Sequence, residues 1–365
     1  ERQRVEILKS LYRNAHVLIL DEPTAVLVPQ EVDVLFETLN RLRREGMSLV
    51  FISHKLNEVM AICDRITVLR AGALVGTVPR AEASLSTLAS MMVGRETFGV
   101  SRKGRSGQGE ALLRVENLSA VDKKGLPALK NVSLAVRSGE ILGIAGVSGN
   151  GQSELSQALT GMLKPTAGRL RIGERDLTGA SPDHFTAARV GRIPEDRHGG
   201  LIGDLSVAEN LALESLSPFT RSGMLDRKAV LDNARTLIAE YQIKASPTDR
   251  TRTLSGGNMQ KVLFARALSR SPEVVIASQP TRGLDVGATD YIRTKLLEQR
   301  DRGAGVLLIS EDLDEVLALS DRIAVMYEGE IVGILPAEEA TRTELGLMMS
   351  GARRAAPEEG SSHAA

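Results

Sequence analysis

A glycine-rich segment that follows an apolar stretch has the residue types and spacing of a phosphate-binding loop. Residues 140–145 (EILGIA) predict a buried strand, and residues 146–153 (GVSGNGQS) follow it at the start of a predicted helix. Glycines let backbone N–H groups curl around phosphate oxygens, and the helix start adds a partial positive charge. The sequence therefore predicts a loop that binds a phosphate-bearing ligand, with a glycine-rich turn that holds no ligand as the alternative.

Two side chains in this loop decide what chemistry it can support. The pattern G-x-x-x-x-G-K-[ST] is met except that Gln152 stands in the place of lysine. Ser153 stands where a hydroxyl holds Mg²⁺ beside the phosphates. An amide donates hydrogen bonds but carries no charge, so it cannot neutralise the charge that a lysine would neutralise in the transition state. We therefore expect nucleotide binding without efficient hydrolysis at this loop.

The chain contains an internal repeat with a constant offset in residue number. The segment from Glu1 to about Val78 recurs, without a gap, 257 residues later at Asn258 to Leu335. Matching positions include Pro23 with Pro280. Two unrelated segments of similar composition would not produce a long series of matches at one offset. The sequence therefore predicts two copies of one structural unit.

Each copy has the same predicted elements. In the first copy, an amphipathic helix precedes the apolar run Val17–Leu20, which predicts a buried parallel strand. Pro29 suits the first turn of the next helix, and a second buried strand from Leu49 to Ile52 follows it. A short helix and the strand Ile66–Leu69 complete the pattern. Alternation of strands and helices predicts an α/β fold with a parallel sheet.

Composition sets the broad class of the protein. The chain has 365 residues, of which 42% are hydrophobic, and its Lys+Arg and Asp+Glu counts are equal at 46. This balance predicts a globular protein without a global field that favours nucleic acid or an anionic membrane. No apolar run approaches the roughly 18 residues that a membrane-spanning helix needs, so we expect any membrane contact to go through partner proteins. The single Cys63 cannot form an internal disulfide.

The repeat and the local composition predict the domain boundaries. We expect a partial domain at residues 1–98, a Gly/Ser-rich and charged linker at residues 99–110, a complete domain at residues 111–350 and a frayed tail at residues 351–365.

One further motif identifies a family resemblance. Residues 254–261 (LSGGNMQK), about a hundred residues after the phosphate loop, resemble the signature motif of ABC ATPases. The resemblance covers roughly residues 1–350 and implies a P-loop NTPase of the ABC ATPase type, with a β subdomain and a helical subdomain. It also implies that Ser255, Gly256 and Gly257 clamp the γ-phosphate of a nucleotide held by the opposite domain.

The resemblance gives the first copy a set of catalytic residues. Residues 17–24 (VLILDEPT) resemble the family's acidic-strand motif, which implies that Asp21 orients the Mg²⁺ shell and Glu22 polarises the attacking water. His54, at the end of residues 51–54 (FISH), matches the switch histidine that bonds the γ-phosphate. Taken alone, the Asp-Glu pair could be a helix cap and His54 a surface histidine.

The second copy departs from the family at each of these points. Ser278 replaces Asp21, Gln279 replaces Glu22 and Glu311 replaces His54. Together with Gln152, these differences predict a degenerate nucleotide site. The candidate nucleotide-binding residues are Gly146, Ser148, Gly149, Asn150, Gly151, Gln152, Ser153, Ser255, Gly256, Gly257 and Gln279. The catalytic candidates are Glu22 and His54, and the candidates for Mg²⁺ are Asp21 and Ser153.

ABC domains pair head to tail, so each of their sites combines the phosphate loop of one domain with the signature of the other. The first domain's own loop and signature would fall before Glu1, so the resemblance implies an N-terminally truncated chain. With the second site degenerate, we expect little or no turnover from this chain alone.

Residues 192–198 (RIPEDRH) resemble the permease-contacting loop of importers of simple sugars and nucleosides, with Glu195 near the usual glutamine. The patterns GNGQ at 149–152 and ASQP at 277–280 are closer to the nucleoside branch. The resemblance implies ATP and Mg²⁺ as cofactors, and transmembrane permease subunits and an extracytoplasmic solute-binding protein as partners. It places the protein at the cytoplasmic face of a bacterial membrane, without a nucleic-acid partner.

Two alternatives remain open from the sequence. One is a truncated nucleotide-binding fragment that does not hydrolyse ATP. The other is a soluble tandem ABC ATPase that acts on ribosomes instead of a transporter.

Overall fold

The computed structural model describes residues 9, 15–24, 27, 29–53, 55–70, 72–93, 100–102 and 109–354. The chain divides into two compact units, residues 1–99 with 285–290, and residues 100–284 with 291–365. Most of the predicted linker and tail lies outside the described residues, as does His54. Of the predicted first helix, only Lys9 is described, and it is helical. Within the described residues, no helix is both long enough and apolar enough to cross a membrane.

Where the structure gives element bounds, the first unit contains two small sheets with α-helices packed beside them. Its elements are β1 (Val17–Asp21), α1 (Pro29–Arg44), β2 (Ser48–Ile52), α2 (Leu56–Ile62), β3 (Arg65–Arg70), β4 (Ala73–Pro79) and α3 (Leu85–Val93). Strands β1 and β2 are parallel, whereas β3 and β4 are antiparallel. The apolar side of α1 packs on β1, where Leu39 is fully buried with Leu18 and Leu20. The strands and helices predicted for residues 17–69 are therefore confirmed as elements. The prediction that β1 and β2 are buried is wrong within the described residues, since Ile19 is 65% exposed and Val50 is 46% exposed.

The second unit is built on a six-stranded sheet in the order β10-β13-β14-β7-β15-β16. Its strands are β7 (Ile141–Ala145), β10 (Val190–Ile193), β13 (Val274–Ser278), β14 (Gly305–Ser310), β15 (Arg322–Tyr327) and β16 (Glu330–Pro336). Neighbouring strands are parallel except for the last pair. Strands β7, β13 and β14 are buried along their whole length, as expected for near-continuous Val, Ile and Leu runs in a parallel sheet. The α/β prediction is confirmed.

The helices of this unit cover the sheet and form a lobe beside it. They are α4 (Gln152–Ala158), α5 (Pro182–Ala187), α6 (Arg197–Gly200), α7 (Val207–Ala212), α8 (Arg227–Glu240), α9 (Gly256–Leu268), α10 (Val286–Asp301), α11 (Leu313–Leu319) and α12 (Arg342–Met349). The first residues of α10, up to 290, are grouped with the first unit. Helix α7 starts with a capping box, in which Ser206 and Glu209 satisfy each other's backbone N–H groups.

The remaining strands of the second unit form antiparallel sheets. They are β5 (Ala111–Val121), β6 (Pro127–Arg137), β8 (Ala167–Ile172), β9 (Arg175–Asp176), β11 (Thr220–Arg221) and β12 (Met224–Leu225). The first four form one sheet in the order β6-β5-β8-β9. Strands β11 and β12 form a short hairpin at residues 220–225, which the sequence did not predict. Two strands of two residues each are too short for periodicity to reveal them.

The two copies of the repeat have matching elements. Strands β1 and β13, helices α1 and α10, helices α2 and α11, and strands β3 and β15 each begin and end 257 residues apart. Local contacts match as well. The N–H of Glu22 donates to the carbonyl of Ile52 at 2.9 Å, and the N–H of Gln279 donates to the carbonyl of Ile309 at 2.7 Å. The sequence repeat is therefore also a repeat of backbone structure.

Candidate functional site

The phosphate loop connects strand β7 to helix α4, as the sequence predicts. Gly149 has φ 89° and Gly151 has φ 102°, the left-handed region in which a residue with a Cβ is strained. Gly151 lies against neighbouring backbone, since a Cβ there would lie 2.7 Å from the carbonyl oxygen of Ala128. Helix α4 begins at Gln152 without a side-chain cap, which leaves its first N–H groups available to an anion.

Asn150 anchors this loop to the turn between β15 and β16. Its side chain is buried, and its Oδ1 accepts a hydrogen bond of 3.1 Å from the N–H of Glu328. The N–H of Gly329 donates to the Asn150 carbonyl at 3.0 Å. These contacts anchor the loop to this turn, and the prediction that Asn150 contributes to nucleotide binding stays a prediction, since its buried Nδ2 has no hydrogen-bond partner among the described residues.

The Gln152 side chain is the most informative polar group of the loop. It is 5% exposed, and among the described residues its Nε2 has no hydrogen-bond partner. Its amide lies beside Gly146, where a Cβ would approach Nε2 to 2.7 Å. A buried donor that is left unsatisfied costs about 1–3 kcal/mol. A phosphate oxygen at the mouth of the loop would satisfy it.

A pocket opens at the carboxyl edge of the sheet, next to this loop. Its lining consists of Ser148, Gly149, Gln152, Ser153, Glu195, Ser278, Gln279, Ile309 and Glu311. Ligands of open parallel sheets bind outside the carboxyl ends of the strands, and this pocket lies at those of β10, β13 and β14.

Glu195 lines the pocket, although the sequence placed it in the permease-contacting loop and not in the nucleotide site. The hydroxyl of Ser153 donates to Oε2 of Glu195 at 2.9 Å, and Nη1 of Arg282 lies 2.8 Å from Oε1. Glu195 comes two residues after the end of β10, a strand that the sequence analysis did not predict. The strand order that makes β10 a neighbour of β13 is what brings Glu195 to the loop.

The residues that replace the family's acidic pair form contacts of their own. The hydroxyl of Ser278 donates to Oγ of Ser156 on helix α4 at 2.7 Å, and Ser278 is buried. Gln279 has φ 47°, and its Oε1 accepts a hydrogen bond of 3.2 Å from the N–H of Glu311. The Gln279 amide is thus hydrogen-bonded to the backbone of Glu311, the residue at the switch position of the second copy.

The signature candidates form the start of helix α9. The hydroxyl of Ser255 caps the helix by accepting from the N–H of Asn258. Gly256 lies next to Arg197, since a Cβ there would be 2.8 Å from Nη1. Arg197 also donates to the carbonyl of Arg282. Burial, and then the charge of Arg282, lowers the pKa of Arg197. The sequence did not predict this arginine contact.

The candidates of the first copy lie in the first unit. Asp21 ends β1, and Glu22 follows it with φ 44°, the same left-handed conformation as Gln279. His54 lies outside the described residues. The structure therefore brings together Ser148, Gly149, Gln152, Ser153 and Gln279 of the predicted set in one pocket.

Comparisons with known proteins agree with this architecture. Residues 129–282 match the family model described as "ABC transporter". The chain is 50% identical to the glucose import ATP-binding protein TsgD13 of Haloferax volcanii, over 96% of this chain and 65% of that protein. It is 44% identical to the nucleoside import ATP-binding protein NupA of Lactococcus lactis, over 96% of this chain and 70% of that protein. The chain thus spans about two thirds of the length of these relatives.

A solved structure gives the same result for the fold. A nucleotide-free ATP-binding cassette from an ABC transporter is 26% identical and superposes with a TM-score of 0.56, covering 66% of this chain and 96% of the cassette. This likeness confirms the α/β P-loop fold of the cassette type.

Proposed function

Since the chain belongs to the family of ABC transporter ATP-binding proteins, we propose that its second unit is a nucleotide-binding domain of an importer for nucleosides or simple sugars. In this proposal, ATP occupies the pocket beside residues 146–153, and ATP hydrolysis by the complete transporter drives a conformational change in a permease. The observation that carries the proposal is the phosphate loop itself. It joins a buried strand to an uncapped helix, and the unpartnered amide of Gln152 lies beside it.

The first unit is proposed to be the C-terminal part of a first nucleotide-binding domain. Its strand faces support this assignment. Ile19 is 65% exposed and Val50 is 46% exposed, whereas their counterparts Ile276 and Leu307 are fully buried in the second unit. In the second unit, strands β7 and β10 flank β14 and β13 and complete the sheet. An equivalent of residues 111–257, ahead of the first unit in the complete protein, would cover the exposed faces.

The pocket of the second unit is proposed to bind nucleotide with little or no hydrolysis. Gln152 replaces the lysine, Ser278 has its hydroxyl on Ser156, and Gln279 replaces the base that would polarise water. Each change removes a charge that phosphoryl transfer uses. Full activity would then belong to the site that combines Asp21, Glu22 and His54 with a first-domain phosphate loop.

The partners follow from the family. The subunit is proposed to act at the cytoplasmic face of the membrane, in contact with the bilayer only through transmembrane permease subunits and together with an extracytoplasmic solute-binding protein. Residues 192–198 would contact the permease. ATP with Mg²⁺ is the proposed ligand, and no nucleic acid is involved.

We propose nucleosides as the transported solute, from the residue patterns at 149–152 and 277–280. The name of the relative at 44% identity, a nucleoside importer subunit, supports this choice. A simple sugar is the second candidate, because the relative at 50% identity is named for glucose import. Uptake of radiolabelled guanosine and glucose in a strain that lacks the gene distinguishes the two candidates. Loss of guanosine uptake alone is the expected result.

Binding of a fluorescent ATP analogue to the 365-residue chain tests the nucleotide site. We expect saturable binding in Mg²⁺ that unlabelled ATP and ADP displace, and hydrolysis close to background. Gly149→Asp places a carboxylate in the loop at a left-handed position that aspartate tolerates, and should weaken binding at least about tenfold through charge repulsion.

Gly125→Asp is the matched control, because Gly125 also has positive φ and open space around its Cα but lies in the β5–β6 turn. It should lower thermal stability by the same amount and leave nucleotide binding unchanged. Equal binding by both variants would contradict the proposed site. Turnover that Glu22→Gln abolishes would contradict the claim of an inactive chain.

A further inference from the structure

The pocket of the second unit has two chemically different parts. The first part is the phosphate loop, which offers backbone N–H groups, the uncapped start of helix α4 and the buried amide of Gln152. Nε2 of this amide has no hydrogen-bond partner among the described residues. The backbone of such a loop cradles the α- and β-phosphates of a nucleotide. This part is uncharged and rich in donors, so it suits a chain of two phosphates.

The rest of the pocket lies beside the loop, at the carboxyl ends of β13 and β14. It is lined there by Ser278, Gln279 and Glu311. The hydroxyl of Ser278 already donates to Oγ of Ser156 at 2.7 Å. Oε1 of Gln279 accepts from the N–H of Glu311 at 3.2 Å, so the Gln279 side chain can offer only Nε2 as a neutral donor. These side chains therefore provide few donors for a third phosphate.

Two carboxylates set the charge of this second part. The lining, within the described residues, contains Glu195 and Glu311 and no lysine, arginine or histidine. Arg282 offsets the charge of Glu195, since its Nη1 lies 2.8 Å from Oε1 of that carboxylate. Glu311 stands where the first copy has His54, so a carboxylate that only accepts hydrogen bonds replaces an imidazole that can donate one. The charge of Glu311 therefore faces any group that extends beyond the loop.

A third phosphate brings further negative charge and further acceptor oxygens, and this part of the pocket disfavours both. We propose that the pocket holds a nucleoside diphosphate more tightly than a nucleoside triphosphate, and that Glu311 determines this selectivity. The inference rests on the proposed function, because it assumes that a nucleotide occupies the pocket. It adds the length of the phosphate chain that the pocket prefers and the residue that sets it.

Displacement of a fluorescent ADP analogue from the 365-residue chain by AMP, ADP and ATP, at one excess concentration of Mg²⁺, measures this preference. We expect ADP to bind most tightly of the three. AMP has no β-phosphate for the loop and the Gln152 amide, and ATP places its third phosphate near the carboxylate of Glu311. The affinity for ATP should be at least about tenfold lower than the affinity for ADP.

Variants of Glu311 test its role directly. Glu311→Gln keeps the size of the side chain and removes its charge, so the affinity for ATP should rise at least about fivefold while the affinity for ADP stays within about twofold. Glu311→His supplies a group that can donate a hydrogen bond and should change the two affinities in the same way. Glu174→Gln is the matched control, because it also removes one negative charge, from an exposed glutamate between β8 and β9. It should leave both affinities unchanged.

The outcomes distinguish this inference from the proposed function. Equal or tighter binding of ATP by the wild-type chain would overturn the inference and leave the nucleotide site intact. An unchanged ratio of the two affinities in both Glu311 variants would show that another group sets the preference. An equal fall of both affinities would show that Glu311 maintains the shape of the pocket instead of selecting its ligand, and would also overturn the inference. Failure of the fluorescent analogue to bind at all would contradict the proposed function itself.

Discussion

The hydroxyl of Thr281 donates a hydrogen bond of 2.7 Å to Oε1 of Glu315. Glu315 is fully buried on helix α11, and Nε of Arg293 lies 3.9 Å from the same oxygen. The first unit has the same contact between Thr24 and Glu58 at 2.6 Å. In each copy, this hydrogen bond connects the segment that follows the acidic-strand motif with the helix that follows the switch position, which is α2 in the first copy and α11 in the second.

Glu315 should make the stability of the second unit depend on pH. Burial raises the pKa of this carboxyl, and Arg293 offsets part of the shift. A raised pKa in the folded state contributes stability that is fully present below the ordinary glutamate value of about 4.3 and is lost as the pH rises through the folded pKa. The free energy of unfolding should therefore decline as the pH rises from about 4.5 to the pKa of Glu315 in the folded state. Glu315→Gln, measured by urea unfolding at several pH values, should remove this part of the slope.

Glu174→Gln is the control for that series, since its side chain is exposed, and it should keep the wild-type slope. An identical pH dependence in Glu315→Gln and wild type would contradict the assignment of the slope to this buried carboxyl.

Substitution at one repeat position should lower the free energy of unfolding by very different amounts in the two copies. Ile276 is fully buried in β13, whereas its counterpart Ile19 in β1 is 65% exposed. Replacement of a buried isoleucine by alanine costs about 2–5 kcal/mol, because transfer free energy and packing are both lost. Ile276→Ala should therefore lower the urea midpoint of the 365-residue chain strongly. Ile19→Ala should change its stability by less than about 1 kcal/mol. Equal losses would show that something covers β1.

A repeated ion pair offers a similar comparison. Arg43 and Asp64 pair at 2.8 Å with exposed side chains, and their counterparts Arg300 and Asp321 pair at 3.5 Å with both side chains buried. Asp321 also accepts a hydrogen bond of 2.8 Å from the N–H of Ile141. Asp321→Ala leaves a buried guanidinium with fewer partners and should cost about 3–5 kcal/mol. Asp64→Ala, measured in the same thermal unfolding assay, should cost less than about 1 kcal/mol.

The two left-handed glycines of the phosphate loop should differ when replaced by alanine. Gly149 has open space around it, so Gly149→Ala meets only the backbone strain of about 1–2 kcal/mol. Gly151→Ala meets the same strain and also the Ala128 carbonyl oxygen at 2.7 Å. Differential scanning calorimetry should show a clearly larger loss of melting temperature for Gly151→Ala. A similar loss for both would mean that the loop can move away from β6.

The local elements and the loop could be predicted from the sequence, because they depend on patterns within a few residues. The run Val17–Leu20, Pro29 at a helix start and the glycines of residues 146–153 each carry their signal in place. The repeat added strength, since matching residues at one offset imply matching strands and helices. The hairpin at residues 220–225 was missed because strands of two residues have no period.

The sequence by itself thus determined the α/β class, the repeat and the position of the phosphate loop, since side-chain periodicity and glycine spacing act locally. Only the tertiary structure decided which groups meet in the pocket. Glu195 reaches Ser153 because β10 and β13 are neighbours in the sheet, although 42 residues separate these two side chains. The turn of the Ser278 hydroxyl toward Ser156 and the burial of Gln152 likewise depend on packing between distant segments. Contacts between distant segments depend on strand order, which no local pattern encodes.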